Sequence, residues 1–118
     1  MKKKIVLIQN NEVVLNIMDG ILTDEGFDVT SSTTADPIND IDSINPDVII
    51  VDDHLPGPKK GSEIISELKS DPQTENLSAV LTSTSTNLAQ LSKDCKADDY
   101  IEKPFDIDRM VQVIRKNS

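Results

Sequence analysis

Four β-branched apolar residues in a row, Val48-Ile49-Ile50-Val51, run straight into Asp52 and Asp53 and limit this chain more than any other stretch. A strand with one wet face alternates apolar and polar residues, whereas an unbroken run suits a strand covered on both faces, as in a parallel sheet. Ligands of such sheets sit just beyond the carboxyl ends of the strands. The run therefore predicts a central parallel strand that delivers Asp52 to the sheet edge, and Leu55-Pro56-Gly57 then turns the chain away. Asp52 is the first candidate for chemistry.

Strand and helix patterns alternate on either side of that run. Ile5 to Ile8 reads as a buried strand, and Val14, Ile17, Met18, Ile21 and Leu22 then recur at helical spacing until Gly26, a natural left-handed stop. Phe27 to Thr30 gives a short second strand, and Asp36-Pro37 supplies the N-cap and first position of a helix carrying Ile38, Ile41 and Ile44. Past the central run, Gly61-Ser62 opens a helix with Ile64, Ile65 and Leu68 on one face, and Asp71-Pro72 stops it. Ala79 to Leu81 is a fourth strand, and a Ser or Thr among residues 82–86 caps a short helix bearing Leu88 and Leu91. Tyr100-Ile101 makes a fifth strand, and Asp106 caps a last helix with Ile107, Met110, Val111 and Ile114 inward. Five strand-then-helix units imply right-handed crossovers and a five-stranded parallel sheet with helices on both faces, a three-layer doubly wound α/β domain.

Size and charge remove other classes. At 118 residues there is room for one domain, residues 1–118, and with no Trp its core must be aliphatic. A formal charge of −9 argues against nucleic acid, because replacing counterions on a polyanion takes clustered Lys and Arg. No apolar stretch approaches membrane-spanning length, and Gln9-Asn10-Asn11 ends the run after Lys2–Lys4 too early for a signal peptide. Cys95 is the only cysteine, so no internal disulfide forms and the thiol reads as inert. A cytoplasmic location is expected.

The stretch PDVIIVDDHLPG (Pro46 to Gly57) together with ADDYIEKPF (Ala97 to Phe105), inside five βα units, resembles the receiver domain of two-component response regulators over nearly the whole chain. The resemblance implies a flavodoxin-like sheet of strand order 2-1-3-4-5. It also implies that Asp52 accepts a phosphoryl group from a histidine kinase or phosphotransfer protein. The chemistry asks for a carboxylate oxygen in line with phosphorus and cations on the equatorial oxygens. Lys103 then matches the lysine that reaches the acyl phosphate, through a Lys103-Pro104 bond that is cis in the family. Ser83, with Thr82 as runner-up, matches the hydroxyl donor, and Tyr100 matches the switch aromatic. His54 corresponds to the position whose backbone carbonyl helps to hold Mg²⁺. Asp53 alternates to the other side of the strand and is expected to be solvated.

One departure matters more than the rest. Receivers end the first strand in two adjacent acids that hold Mg²⁺ with the acceptor, and this chain has Gln9 and Asn10 there. A dication among three carboxylates leaves a net −1, while Asp52 alone leaves +1, and Mg²⁺ gives up water reluctantly for neutral amides. Each missing acid forfeits on the order of a few kcal/mol of attraction at an effective dielectric of about 20. Metal held by Asp52, Asn10 and the His54 carbonyl is thus expected to be weak or lost, and phosphorylation slow unless Glu12 or Asp53 swings in. Thr84 crowds the entrance, the turn PGPKKG (Pro56 to Gly61) is one residue longer than usual for the family, the fourth helix is short, and Lys96 replaces a glycine after it.

Two functions follow from the resemblance. One is an atypical or pseudo-receiver, an interaction module, monomeric or weakly dimeric, that docks a kinase, a regulator or another copy of itself; Gln9, Asn10 and Thr84 favour it. The other is a working single-domain regulator phosphorylated on Asp52, favoured by Asp52, Ser83 and Lys103. A flavodoxin-like cofactor binder would need a Ser-, Thr- or Gly-rich phosphate loop after the first strand, which Gln9 to Val13 does not offer. An enzyme with turnover is not expected, since His54 is the only His near Asp52.

Overall fold

The computed structural model describes residues 2–118. Eleven elements follow one another: β1 (Lys4–Ile8), α1 (Glu12–Asp24), β2 (Asp28–Ser32), a 3-10 turn (Asp36–Asp40), α2 (Ile41–Ile44), β3 (Val48–Asp52), α3 (Gly61–Ser70), β4 (Ser78–Ser83), α4 (Leu88–Asp94), β5 (Asp99–Glu102) and α5 (Ile107–Asn117). All strand pairs are parallel, in the order β2-β1-β3-β4-β5, which is the doubly wound flavodoxin-like arrangement. β1 and β3 are central, and the side chains of Ile5–Ile8 and Val48–Val51 are wholly buried, as unbroken apolar runs require.

Alternation along the strands divides the core into two layers. Ile5, Leu7, Val48, Ile50 and Val80 pack with Leu15, Met18 and Leu22 of α1 and Met110, Val113 and Ile114 of α5. Val6, Ile8, Ile49, Val51 and Leu81 pack on the opposite face with Ile41, Ile64, Ile65, Leu68 and Leu88. Those buried aliphatic side chains contribute roughly 1.5–3 kcal/mol each before the entropy of ordering them is subtracted.

Four local expectations give way to tertiary geometry. Phe27 is not in β2; it is buried under α1 and α5 just ahead of the strand, and Arg115 stacks over its ring at 5.7 Å. The helix expected at Asp36-Pro37 is a 3-10 turn continuing into a single turn of α2, because Asp36, Asn39, Asp40, Asp42 and Ser43 are poor helix formers. None of residues 82–86 caps α4, whose N-cap is Asn87. Ile107 points outward, 52 % exposed, while Met110 and Ile114 are buried as expected.

Helices α1 and α4 end in the same double hydrogen bond. After α1, Gly26 N donates to Thr23 O and Phe27 N to Leu22 O, with Gly26 at φ 95°. After α4, Lys96 N donates to Lys93 O and Ala97 N to Ser92 O, but the left-handed residue is Lys96 at φ 64°. The helix end is therefore kept rather than rebuilt, and Lys96 bears the steric cost of its Cβ.

Candidate functional site

Asp52 ends β3 at the carboxyl edge of the sheet and is only 4 % exposed. Three donors surround its carboxylate. Lys103 Nζ lies 3.1 Å from Oδ2, Asn10 N donates to Oδ2 at 3.3 Å, and His54 N donates to Oδ1 at 3.2 Å. Lys103 arrives from the loop after β5, where the Lys103-Pro104 bond is cis, and its backbone N donates to Ser83 O. The pair is nearly dry, with side chains 14 % and 6 % exposed, so it is screened far less than a surface ion pair.

The two amides of the degenerate pair behave differently. Asn10 is exposed and reaches Asp52 only through its backbone. Gln9 is completely buried: its Nε2 donates to Thr82 Oγ1 at 3.0 Å, and the Thr82 hydroxyl donates to Gln9 Oε1 at 3.3 Å. Among the described residues, no three His, Cys, Asp or Glu side chains come together as a metal would need. The chain's residues therefore do not fit a strongly held Mg²⁺, which wants several hard oxygen ligands.

Asp53 corrects an expectation. It is 5 % exposed rather than solvated, and its Oδ1 accepts a hydrogen bond from Ser62 N at 3.0 Å while its carbonyl accepts one from Gly61 N. A carboxylate at a helix start is favoured by the free N–H groups and by the helix dipole. The alternation of side chains predicted that Asp53 leaves Asp52's side of the strand, but only the fold brings α3 back over it. Asp53 cannot turn towards Asp52 without uncapping α3. Glu12 is exposed in the first turn of α1.

Gly61 makes that return possible. A Cβ there would stand 2.7 Å from the Asp52 carbonyl carbon and 2.9 Å from Val51 Cγ1, and closer still to the Asp52 carbonyl oxygen. The start of α3 thus rests directly on the end of β3, a close approach that only glycine permits.

The remaining predicted residues lie around this centre. Ser83 is buried at the end of β4, and its hydroxyl accepts from Ser85 N at 3.0 Å rather than meeting Asp52. Thr84 beside it is exposed. Tyr100 is half-buried in β5 against the α3–α4 side of the core. The His54 side chain is exposed. Thr82, considered only as a second hydroxyl donor, proves to be the partner of Gln9; two polar residues in an otherwise apolar pattern were the available signal.

Beside Lys103 the surface is apolar. Val14, Ile17, Pro104, Phe105 and Ile107 line a recess of about 260 Å³, and Val13 and Ile17 are 66 % and 52 % exposed. Burial pushes the Cys95 thiol above the usual range, and its Sγ donates to Ser92 O at 3.4 Å. No described helix is long and apolar enough to cross a membrane.

A parallel sheet of order 2-1-3-4-5 with a lysine-paired carboxylate at its carboxyl edge defines a flavodoxin-like α/β domain with its site at the strand ends. Residues 5–115 match the response regulator receiver domain, so the chain belongs to that family and to two-component signalling. The fold is similar to a response regulator receiver domain protein from Methanospirillum hungatei JF-1, with TM-score 0.86 and 21% identity over 98% of this chain and 93% of that one. It is similar to the chemotaxis response regulator CheY4 of Vibrio cholerae, with TM-score 0.89 and 18% identity over all of both chains. NtrX from Brucella abortus is 27% identical with TM-score 0.86, matching 99% of this chain and 27% of NtrX.

Proposed function

We propose that this chain is an atypical receiver, a protein-interaction module of two-component signalling whose Asp52 is a metal-starved and therefore slow phosphoacceptor. One observation carries the reading: Asp52 is neutralised by Lys103 alone, while Gln9 and Asn10 bring no charge to the place where an ion would sit. In a receiver with two acids there, the acceptor, the pair and the lysine sum to −2, and a dication restores balance. Here Asp52 and Lys103 sum to zero, so a dication would add uncompensated positive charge to a nearly dry pocket.

The partners are a histidine kinase, a phosphotransfer protein or another signalling protein. The apolar recess beside Lys103, flanked by the exposed Val13, Ile17 and Ile107, supports docking close to Asp52. A second reading, a working regulator phosphorylated on Asp52, draws support from the 3.1 Å Lys103 contact and from Ser83 at the neighbouring strand end. Intact-mass measurement after incubation with phosphoramidate and excess Mg²⁺, with Asp52→Asn as control, separates the two. The atypical reading expects little or no added phosphoryl mass; stoichiometric labelling abolished in Asp52→Asn establishes the second reading instead.

A further inference from the structure

We propose that Thr82 is a positioning residue that keeps the divalent-cation position shut by holding the Gln9 amide in the core; this rests on the metal-starved reading given above. An amide is a poor replacement for a carboxylate, but its oxygen is still a hard ligand of the type Mg²⁺ accepts. A free Gln9 would therefore weaken metal binding without abolishing its own contribution. In this chain Gln9 is not free. Both ends of its amide are engaged by one hydroxyl, Nε2 donating to Thr82 Oγ1 at 3.0 Å and Oε1 facing the same oxygen at 3.3 Å.

The hydroxyl is a fixed point. Thr82 is 0 % exposed, lies in β4 opposite Asp52 in β3 and Ile101 in β5, and its carbonyl accepts the Asp53 N–H at 2.9 Å. Gln9 is 0 % exposed beyond the end of β1, and its N donates to Ser32 O at 3.1 Å. In the sheet β3 lies between β1 and β4, so the contact bridges the width of the strand that carries Asp52. Turning the Gln9 oxygen towards Asp52 would leave a buried hydroxyl and a buried amide N–H without partners, and no buried side-chain nitrogen or oxygen among the described residues is unpartnered now. The latch thus subtracts Gln9 from any ligand set, which the amide substitution alone does not do.

The test uses the full chain and Mg²⁺ itself, followed by NMR shifts of the amides around Asp52, with Mn²⁺ broadening as a check on location. Asn10→Asp supplies one acid, so that binding becomes measurable. Adding Thr82→Val should release Gln9 and tighten Mg²⁺ binding by about five- to tenfold over Asn10→Asp alone, the equivalent of one net hydrogen bond. Adding Thr82→Ser, which keeps the hydroxyl, should leave the affinity at the Asn10→Asp value. Equal affinity of the Asn10→Asp/Thr82→Val protein and the Asn10→Asp protein overturns the latch and leaves the metal-starved reading standing. Wild-type affinity equal to that of Asn10→Asp overturns that reading, and the proposal with it. Should the Thr82→Val protein not fold, the Gln9 side-chain amide protons of the wild type decide: slow exchange with water supports the latch, and exchange as fast as that of an exposed glutamine overturns it.

Discussion

Replacing Gly61 with alanine tests the contact that builds the site from the end of β3 and the start of α3. The added Cβ would lie 2.7 Å from the Asp52 carbonyl carbon and 2.9 Å from Val51 Cγ1, whereas carbon atoms in contact prefer about 3.5–4.0 Å. Roughly 1 Å of separation must therefore come from moving backbone, since the main obstacle is the Asp52 peptide group. Such a shift pulls α3 from its cap, weakening the bonds from Gly61 N to Asp53 O and from Ser62 N to Asp53 Oδ1. Overpacking of about 2–3 kcal/mol plus about 1 kcal/mol for the strained cap gives a loss of about 3–4 kcal/mol. Urea denaturation measures it as a lower midpoint at unchanged slope, and the melting temperature should drop by roughly 10–15 °C. Gly20→Ala is the built-in control, because nothing lies within 4 Å of its Cβ position on the exposed side of α1. That change should raise stability by about 0.5–1 kcal/mol. A Gly61→Ala protein within about 1 kcal/mol of wild type would refute the close-approach reasoning.

Three further outcomes are expected. Lys96→Gly should stabilise the chain by about 0.5–1 kcal/mol by thermal or urea unfolding, since the φ of 64° strains any side chain. Lys103→Met leaves the buried Asp52 carboxylate with only two backbone donors, and should cost about 2 kcal/mol, below the fully buried range because the ammonium keeps some water contact. Cys95 should react with a thiol reagent only at the rate of unfolding. Because folding raises its pKa above the usual value, its contribution to stability is complete below the unfolded-state pKa; it should fade as pH rises from there and be gone once the folded thiol ionises, and Cys95→Ala should flatten that part of the pH–stability curve.

Much of the fold was legible because buried parallel strands have a local signature. Ile5–Ile8 and Val48–Val51 announce themselves without any knowledge of their neighbours. The edge strand β2 does not: only Val29 of its residues packs on the core, so polar residues extend it to Ser32 and its start slips past Phe27. The region from Asp36 to Ile44 has apolar spacing suited to a helix but side chains that compete for backbone hydrogen bonds, and it settles for a 3-10 turn and one helical turn. At the site, strand alternation placed Asp52 and Asp53 on different sides. Whether Asp53 met water or another element depended on α3 returning over it, a contact across nine residues that no local pattern encodes. The Gln9–Thr82 bond, between residues 73 positions apart, was equally invisible, although each is a polar residue at the end of an apolar run.

Tyr100 is the only tyrosine, and the chain has no tryptophan. Ultraviolet emission excited near 280 nm therefore comes from one ring, half-buried in β5 one strand away from the residue facing Asp52. The protein carries its own single-site optical reporter, and partner docking or chemical change that disturbs that ring can be followed without attaching a dye.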